Sequence, residues 1–326
     1  MTLVCMVPGC HHMAQAGKVW DDNLCAEHDG GVPNLRSWTK ELTDIEQFSE
    51  VTGRAGTDFL SLPDAISLGR IGRLLPLPIS DFNALEHFSI RKIHSGGKHG
   101  VVFVNGFLSE RHSDVSDWTR CSAERFGEAT QYHLDWEASR HPKDTAMDSA
   151  FTSIGSKVPV VHAALTAVNA LAAWHMSMKN AGIAGRLLAN AIVRTPGWQF
   201  TLAGHSLGAR VIHFALVELA KQHGKRIDNV YLLGAAVGGG DKDAECWRKA
   251  ADAVGGKIFN CFSQNDHVLA RDYRTANAMM SEPAGYSGIK LKHDQVHNMN
   301  CSALVDGHSS WKSRFDDIIF ELELQP

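Results

Sequence analysis

The chain of 326 residues has no surplus of positive charge. Its 32 lysines and arginines face 36 aspartates and glutamates, mixed along the sequence, for a formal charge of −4. A phosphate-binding face needs a basic patch, so nucleic acid is set aside as a partner. A disulfide framework is missing as well: the seven cysteines (Cys5, Cys10, Cys25, Cys121, Cys246, Cys261 and Cys301) are odd in number and scattered, the pattern of reduced thiols. The first residues lack a basic stretch followed by an apolar run, which predicts no conventional secretory signal and a cytoplasmic location, with signal-independent export left open. Long hydrophobic runs are scarce too. The most apolar, VPVVHAALTAVNALAAWHMSM at 158–178, is interrupted by Pro159, His162, Asn169 and His175. It falls short of the roughly 20 strongly apolar residues of a membrane span, so any membrane contact is expected to be peripheral. Repeats and low-complexity tracts are absent.

What is present suits a large α/β domain. Hydrophobic residues make up 44% of the chain, enough for a real core. Residues 1–30 are turn-rich and hold cysteine and histidine. Residues 31–95 read as a helical or irregular extension, and 96–326 as the main domain. Within it, strands are expected at 101–105, 130–136, 198–203, 229–237 and 257–263, with another in IKLKHDQVHNMNCS. Helices are expected at 160–194, broken near Gly182 and Gly185, and at 207–222, 243–253 and 309–324. Such alternation specifies a mostly parallel sheet with helices on both faces, whose functional groups lie beyond the carboxyl ends of the strands. Residues 155–195 are expected to form a helical, lid-like insertion.

One junction stands out. In QFTLAGHSLGARVIHFALVELA a β-prone run ends at Ala203, Gly204-His205-Ser206-Leu207-Gly208 follows, and an almost wholly apolar helical run begins. A sharp strand-to-helix turn tolerates only small residues two places either side of its apex. Gly204 and Gly208 therefore allow Ser206 to project its hydroxyl above the sheet, with the Leu207 N–H at the helix start placed to meet a developing oxyanion. The bland alternative is a glycine-rich turn with an idle serine. A serine hydroxyl needs a base to take its proton and an acid to orient that base. Asp266, just past the strand KIFNCFS, is preferred as the acid over Asp241, Asp243 and Asp272. His308, in the loop behind Gly307, is preferred as the base over His293 and His297, which fall within an expected strand. The second oxyanion donor is expected at the Phe107 N–H, after Gly106, although Gly106 could simply open a turn.

The first residues carry a separate signal. Cys5, Cys10, Cys25 and His28 form a C-x4-C-x14-C-x2-H arrangement, two close pairs suited to a tetrahedral, structural Zn²⁺ site. His11 or His12 could replace a ligand, and unliganded cysteines are the alternative. No cofactor is needed for the serine chemistry.

The stretches LAGHSLGARVIHFALVELA, IDNVYLLGAAV, WRKAADAVGGKIFNCFSQNDHVLARDYR and DGHSSW, with YHLDWEA and AGIAGRLLANAI, resemble the α/β-hydrolase domain of the transmembrane and coiled-coil domain-containing protein four family. The likeness runs from about Val101 to Trp311. It implies the α/β-hydrolase fold, and Ser206, Asp266 and His308 as nucleophile, acid and base. Members of that family often hold a strongly hydrophobic membrane segment before the elbow. Residues 158–178 are too polar for one, so membrane residence is not implied. The expected activity is cleavage of carboxylic esters, with lipid esters favoured because residues 155–195 offer apolar surface. The rivals are an idle hydrolase-like scaffold whose zinc module binds a protein partner, and an amidase or peptidase on the same residues.

Overall fold

The structure, a computed structural model, describes residues 88–107, 115–122, 125–138, 160–193, 197–221, 226–273 and 282–324, with the single residues 85, 109 and 195. Residues 1–30, with Cys5, Cys10, Cys25 and His28, lie outside the described residues, as does most of 31–95.

Seven strands form one sheet: β1 (Phe88–His94), β2 (Gly97–Val104), β3 (Ala129–Trp136), β4 (Gln199–His205), β5 (Ile227–Leu233), β6 (Ile258–Phe262) and β7 (Val296–Asn300), in the order β1-β3-β2-β4-β5-β6-β7. Every pairing is parallel except β1 with β3, which is antiparallel. The helices are α1 (Ser116–Ser122), α2 (Val160–Val193), α3 (Leu207–Leu219), α4 (Ala244–Asp252), α5 (Ala284–Ser287) and α6 (Phe315–Leu324). The continuous apolar run Val101–Val104 shows why β2 is central: alternate side chains serve two buried faces. Val102 and Val104 join Leu187, Leu188, Ile212, Leu216 and Trp247 beneath α2, α3 and α4. Val101 and Phe103 join Trp118, Trp311, Phe315 and Ile318 beneath α1 and α6. A mostly parallel sheet covered on both faces, with one antiparallel strand at its first edge, is the α/β-hydrolase fold.

The structure revises the element boundaries in three places. The sheet starts before residue 96. Phe88 and Ile90 of β1 are buried while Ser89 and Arg91 are exposed, the alternation of a half-covered antiparallel edge strand with a charge on its open side. The fifth strand stops at Leu233 because Gly234 turns the chain at φ 53°, with the Trp311 indole filling the space where its Cβ would stand. The long helix is not broken at Gly182 or Gly185: α2 runs unbroken from Val160 to Val193. Gly185 is there for contact. A Cβ on it would stand 2.5 Å from the Val211 carbonyl oxygen and 2.8 Å from the Phe214 Cβ, so the glycine lets α2 lie directly on the α3 backbone. Among the described residues, no helix is long and apolar enough to cross a membrane.

Candidate active site

Ser206 occupies the apex between β4 and α3 at φ 56°, ψ −120°, and is the one described residue other than glycine with positive φ. That conformation is strained for a residue with a side chain and persists only where its surroundings enforce it. The Ser206 N–H donates to the Leu233 carbonyl (3.0 Å), and its carbonyl accepts from Ala209 N–H and Ala236 N–H (3.1 Å each). Three glycines make room. A Cβ at Gly204 would meet Ile212 Cδ1 at 2.7 Å, and one at Gly208 would strike the Val104 carbonyl oxygen at 2.1 Å. At Gly106 it would stand 2.8 Å from Ser206 Cβ and 3.3 Å from the Leu207 nitrogen. The loop after β2 therefore lies against the elbow, with Gly106 beside Ser206 and the Leu207 nitrogen.

The structure brings Ser206, His308 and Asp266 together. His308 Nε2 is 3.0 Å from Ser206 Oγ, and His308 Nδ1 is 2.8 Å from Asp266 Oδ2. Asp266 follows β6 and is fully buried. Its Oδ2 also accepts from Trp311 Nε1 (2.9 Å), and its Oδ1 from the Leu269 N–H (3.1 Å). With an indole N–H on Oδ2 and a backbone N–H on Oδ1 the acid acts as an acceptor through both oxygens, so His308 Nδ1 carries the proton and Nε2 offers its lone pair to the serine.

The rival residues lie elsewhere. Asp243 caps the short turn at Asp241–Asp243 by accepting from Gly240 N–H (3.0 Å). Asp272 falls in the π-helical turn Val268–Tyr273. His297 stands on β7 with its ring 5.8 Å from that of Phe259. His293 precedes β7 and accepts from the Gln295 N–H (3.3 Å).

Several neighbours were not foreseen from the sequence. His205 Nε2 lies 3.1 Å from the His308 carbonyl oxygen, and the two rings are 4.8 Å apart. Burial, with His308 and Lys312 as neighbours, holds His205 well below the ordinary histidine range, so it is neutral and donates Nε2–H to that carbonyl. Under the Gly106 loop, the Asn105 carbonyl accepts from Trp136 Nε1 (3.0 Å) and Asn105 Oδ1 accepts from Trp118 Nε1 (2.7 Å). Its amide nitrogen must then donate to His133 Nε2 (3.1 Å), and burial pushes His133 down to about 4. Lys312, four residues past His308, pairs with Asp117 and reaches Asn105 Oδ1 at 3.4 Å. The segment carrying the histidine and the loop carrying Phe107 are thus tied to each other. None of these residues has a spacing that sequence alone could read; only the GHS triplet placed His205 near the centre.

No group of three or more metal-binding side chains occurs among the described residues. In sequence, the profile of a family described as a protein of unknown function (DUF726) matches residues 143–325. Transmembrane and coiled-coil domain-containing protein STS1 of Oryza sativa subsp. japonica is 29% identical over 288 residues, covering 80% of this chain and 42% of that protein. The probable lipase MIL1 of Saccharomyces cerevisiae is 34% identical over 149 residues, covering 45% of this chain and 14% of that protein. The chain therefore spans less than half the length of the curated relatives it matches. Among solved structures, mouse alpha/beta hydrolase domain-containing protein 10 aligns over 72% of this chain and 94% of its own, at 9% identity and a TM-score of 0.37.

Proposed function

The chain belongs to the DUF726 family, whose function is unknown, and we propose from its site that it is a serine hydrolase acting on carboxylic esters, with lipid esters as the substrate class. The observation that carries this reading is the continuous chain of hydrogen bonds from Ser206 Oγ through the His308 ring to the buried Asp266, set on a strained elbow at the carboxyl end of a parallel sheet.

In the first half-reaction Ser206 Oγ attacks the ester carbonyl carbon while its proton passes to His308 Nε2. Asp266 stabilises the imidazolium through Nδ1–H and holds its tautomer. The carbonyl oxygen, now negative, takes the N–H groups of Leu207 and Phe107, the first of them at the amino end of α3. His308 returns its proton to the departing alkoxide, leaving an acyl-serine. In the second half-reaction a water gives its proton to His308 Nε2 as it attacks the acyl carbon, and the collapse of that intermediate reprotonates Ser206.

The preference for lipid esters is supported by the apolar character of residues 155–195 and by the likeness to the yeast probable lipase MIL1. A fluorophosphonate probe should label the wild-type protein and fail to label Ser206→Ala. Labelling that persists in the variant would refute the assignment.

A structural zinc on Cys5, Cys10, Cys25 and His28 stands as a separate proposal, resting on their spacing alone. Elemental analysis of protein purified without added metal should find one zinc per chain. Chelation should lower the unfolding temperature more than it lowers the activity of molecules still folded. A stoichiometry near zero ends the proposal.

A further inference from the structure

Trp174, on α2, is 94% buried, yet its indole N–H has no acceptor among the described residues. A buried donor left without a partner carries its full desolvation penalty, and such groups in a native structure call for a physical reason. The neighbours of this one are informative. Its ring meets Phe107 edge-on at 5.1 Å and Tyr273 edge-on at 6.4 Å. Phe107 follows the glycine that abuts Ser206, and Tyr273 ends the turn that starts two residues after Asp266. Trp174 therefore bridges the loop that borders the serine and the loop that bears the acid, at the edge of the reaction centre.

We infer that Trp174 is a substrate-binding residue whose indole N–H receives a second ester carbonyl of the substrate, next to the bond that is cut. This rests on the serine-hydrolase reading above. The acceptor must be a second oxygen, because the scissile carbonyl is already taken by Leu207 and Phe107. It must also be uncharged. The indole is flanked by aromatic rings, and Arg210, the buried cation that meets Tyr273, is engaged through Nε by the Met178 carbonyl (3.2 Å) and lies over the Phe214 ring. The two rings that meet the indole among the described residues are uncharged, so a phosphate or free carboxylate would find no compensating charge on them, whereas a neutral carbonyl within an apolar molecule satisfies the donor and leaves the aromatic contacts dry. The substrate class is then a vicinal diester, two acyl groups on neighbouring carbons.

The test compares propane-1,2-diol dioctanoate with the analogue whose 2-ester is an octyl ether, which has nearly the same length and shape and lacks only the second carbonyl. Rates are scored per cleavable bond. The wild type should favour the diester by about tenfold in kcat/KM, the worth of one well-made hydrogen bond. Trp174→Phe should bring the diester-to-ether ratio close to one while still taking the fluorophosphonate probe. A wild type without preference overturns the inference, and this measurement needs no variant to fold. A Trp174→Phe protein that loses equally on both substrates also overturns it, since the indole is then a packing element. A wild type that neither labels nor cleaves either ester overturns the serine-hydrolase reading and this inference together.

Discussion

Asp266 Oδ2 accepts from both His308 Nδ1 and Trp311 Nε1, an arrangement that an amide cannot reproduce with its nitrogen in that place. Asp266→Asn should therefore lower kcat by about 10³–10⁴ through the wrong imidazole tautomer, with KM little changed. Steady-state kinetics on an octanoate ester would measure it. If Asp243→Asn produced that loss instead, the acid has been misassigned. His205 acts on the base from the other side, through the backbone. Removing its donor in His205→Leu should cost about tenfold in kcat, while His205→Gln, which keeps an N–H, should recover most of it. Equal losses in the two variants would mean that the ring matters for packing and not for the His308 carbonyl.

Among the elements, the contact of α2 with α3 is the most exposed to a single methyl group. Gly185→Ala places a Cβ 2.5 Å from the Val211 carbonyl oxygen, which neither helix can relieve without moving apart. Overpacking of this kind costs about 1–3 kcal/mol, so a lower denaturant midpoint with an unchanged m-value is expected. The same glycine shows where sequence ran short. Gly185 looked like a helix breaker because the close approach that explains it involves a helix some 26 residues further along. Strand β1 was missed since Phe88 and Ile90 alternate too briefly, among Arg91 and Lys92, to stand out from an irregular extension. Ser206, Gly204 and Gly208 were legible because the turn imposes its demands within five residues. Asp266 and His308 were legible because strand ends could be located. Trp174, Asn105 and His133 were not, because each owes its place to partners brought in by the sheet order.

For the whole molecule, the buried histidines of the described residues contribute a loss of stability in acid. His133 is pushed down to about 4 and His213 to about 3, in both cases chiefly by burial. Unfolded, each would protonate near 6.5. Between that value and the folded one the unfolded chain binds more protons, so stability falls as pH drops from about 6.5 towards 4 and is level above about 7 as far as these groups are concerned. Thermal unfolding across that range should show the fall, and His133→Gln should reduce its slope. Protonating His133 would also set a donor against the Asn105 amide, beneath the loop that holds Phe107. The reacting groups are contributed in sequence order, nucleophile first and base last, and the bond between them closes a span of 102 residues. On the serine-hydrolase reading, a chain still being synthesised can shape its elbow and acid loop while its serine is chemically silent, and turnover would begin only when the segment with His308 and Trp311 docks. Undocking reverses that order. On slow warming, hydrolysis should vanish some degrees before the far-ultraviolet circular dichroism of the sheet and its helices is lost.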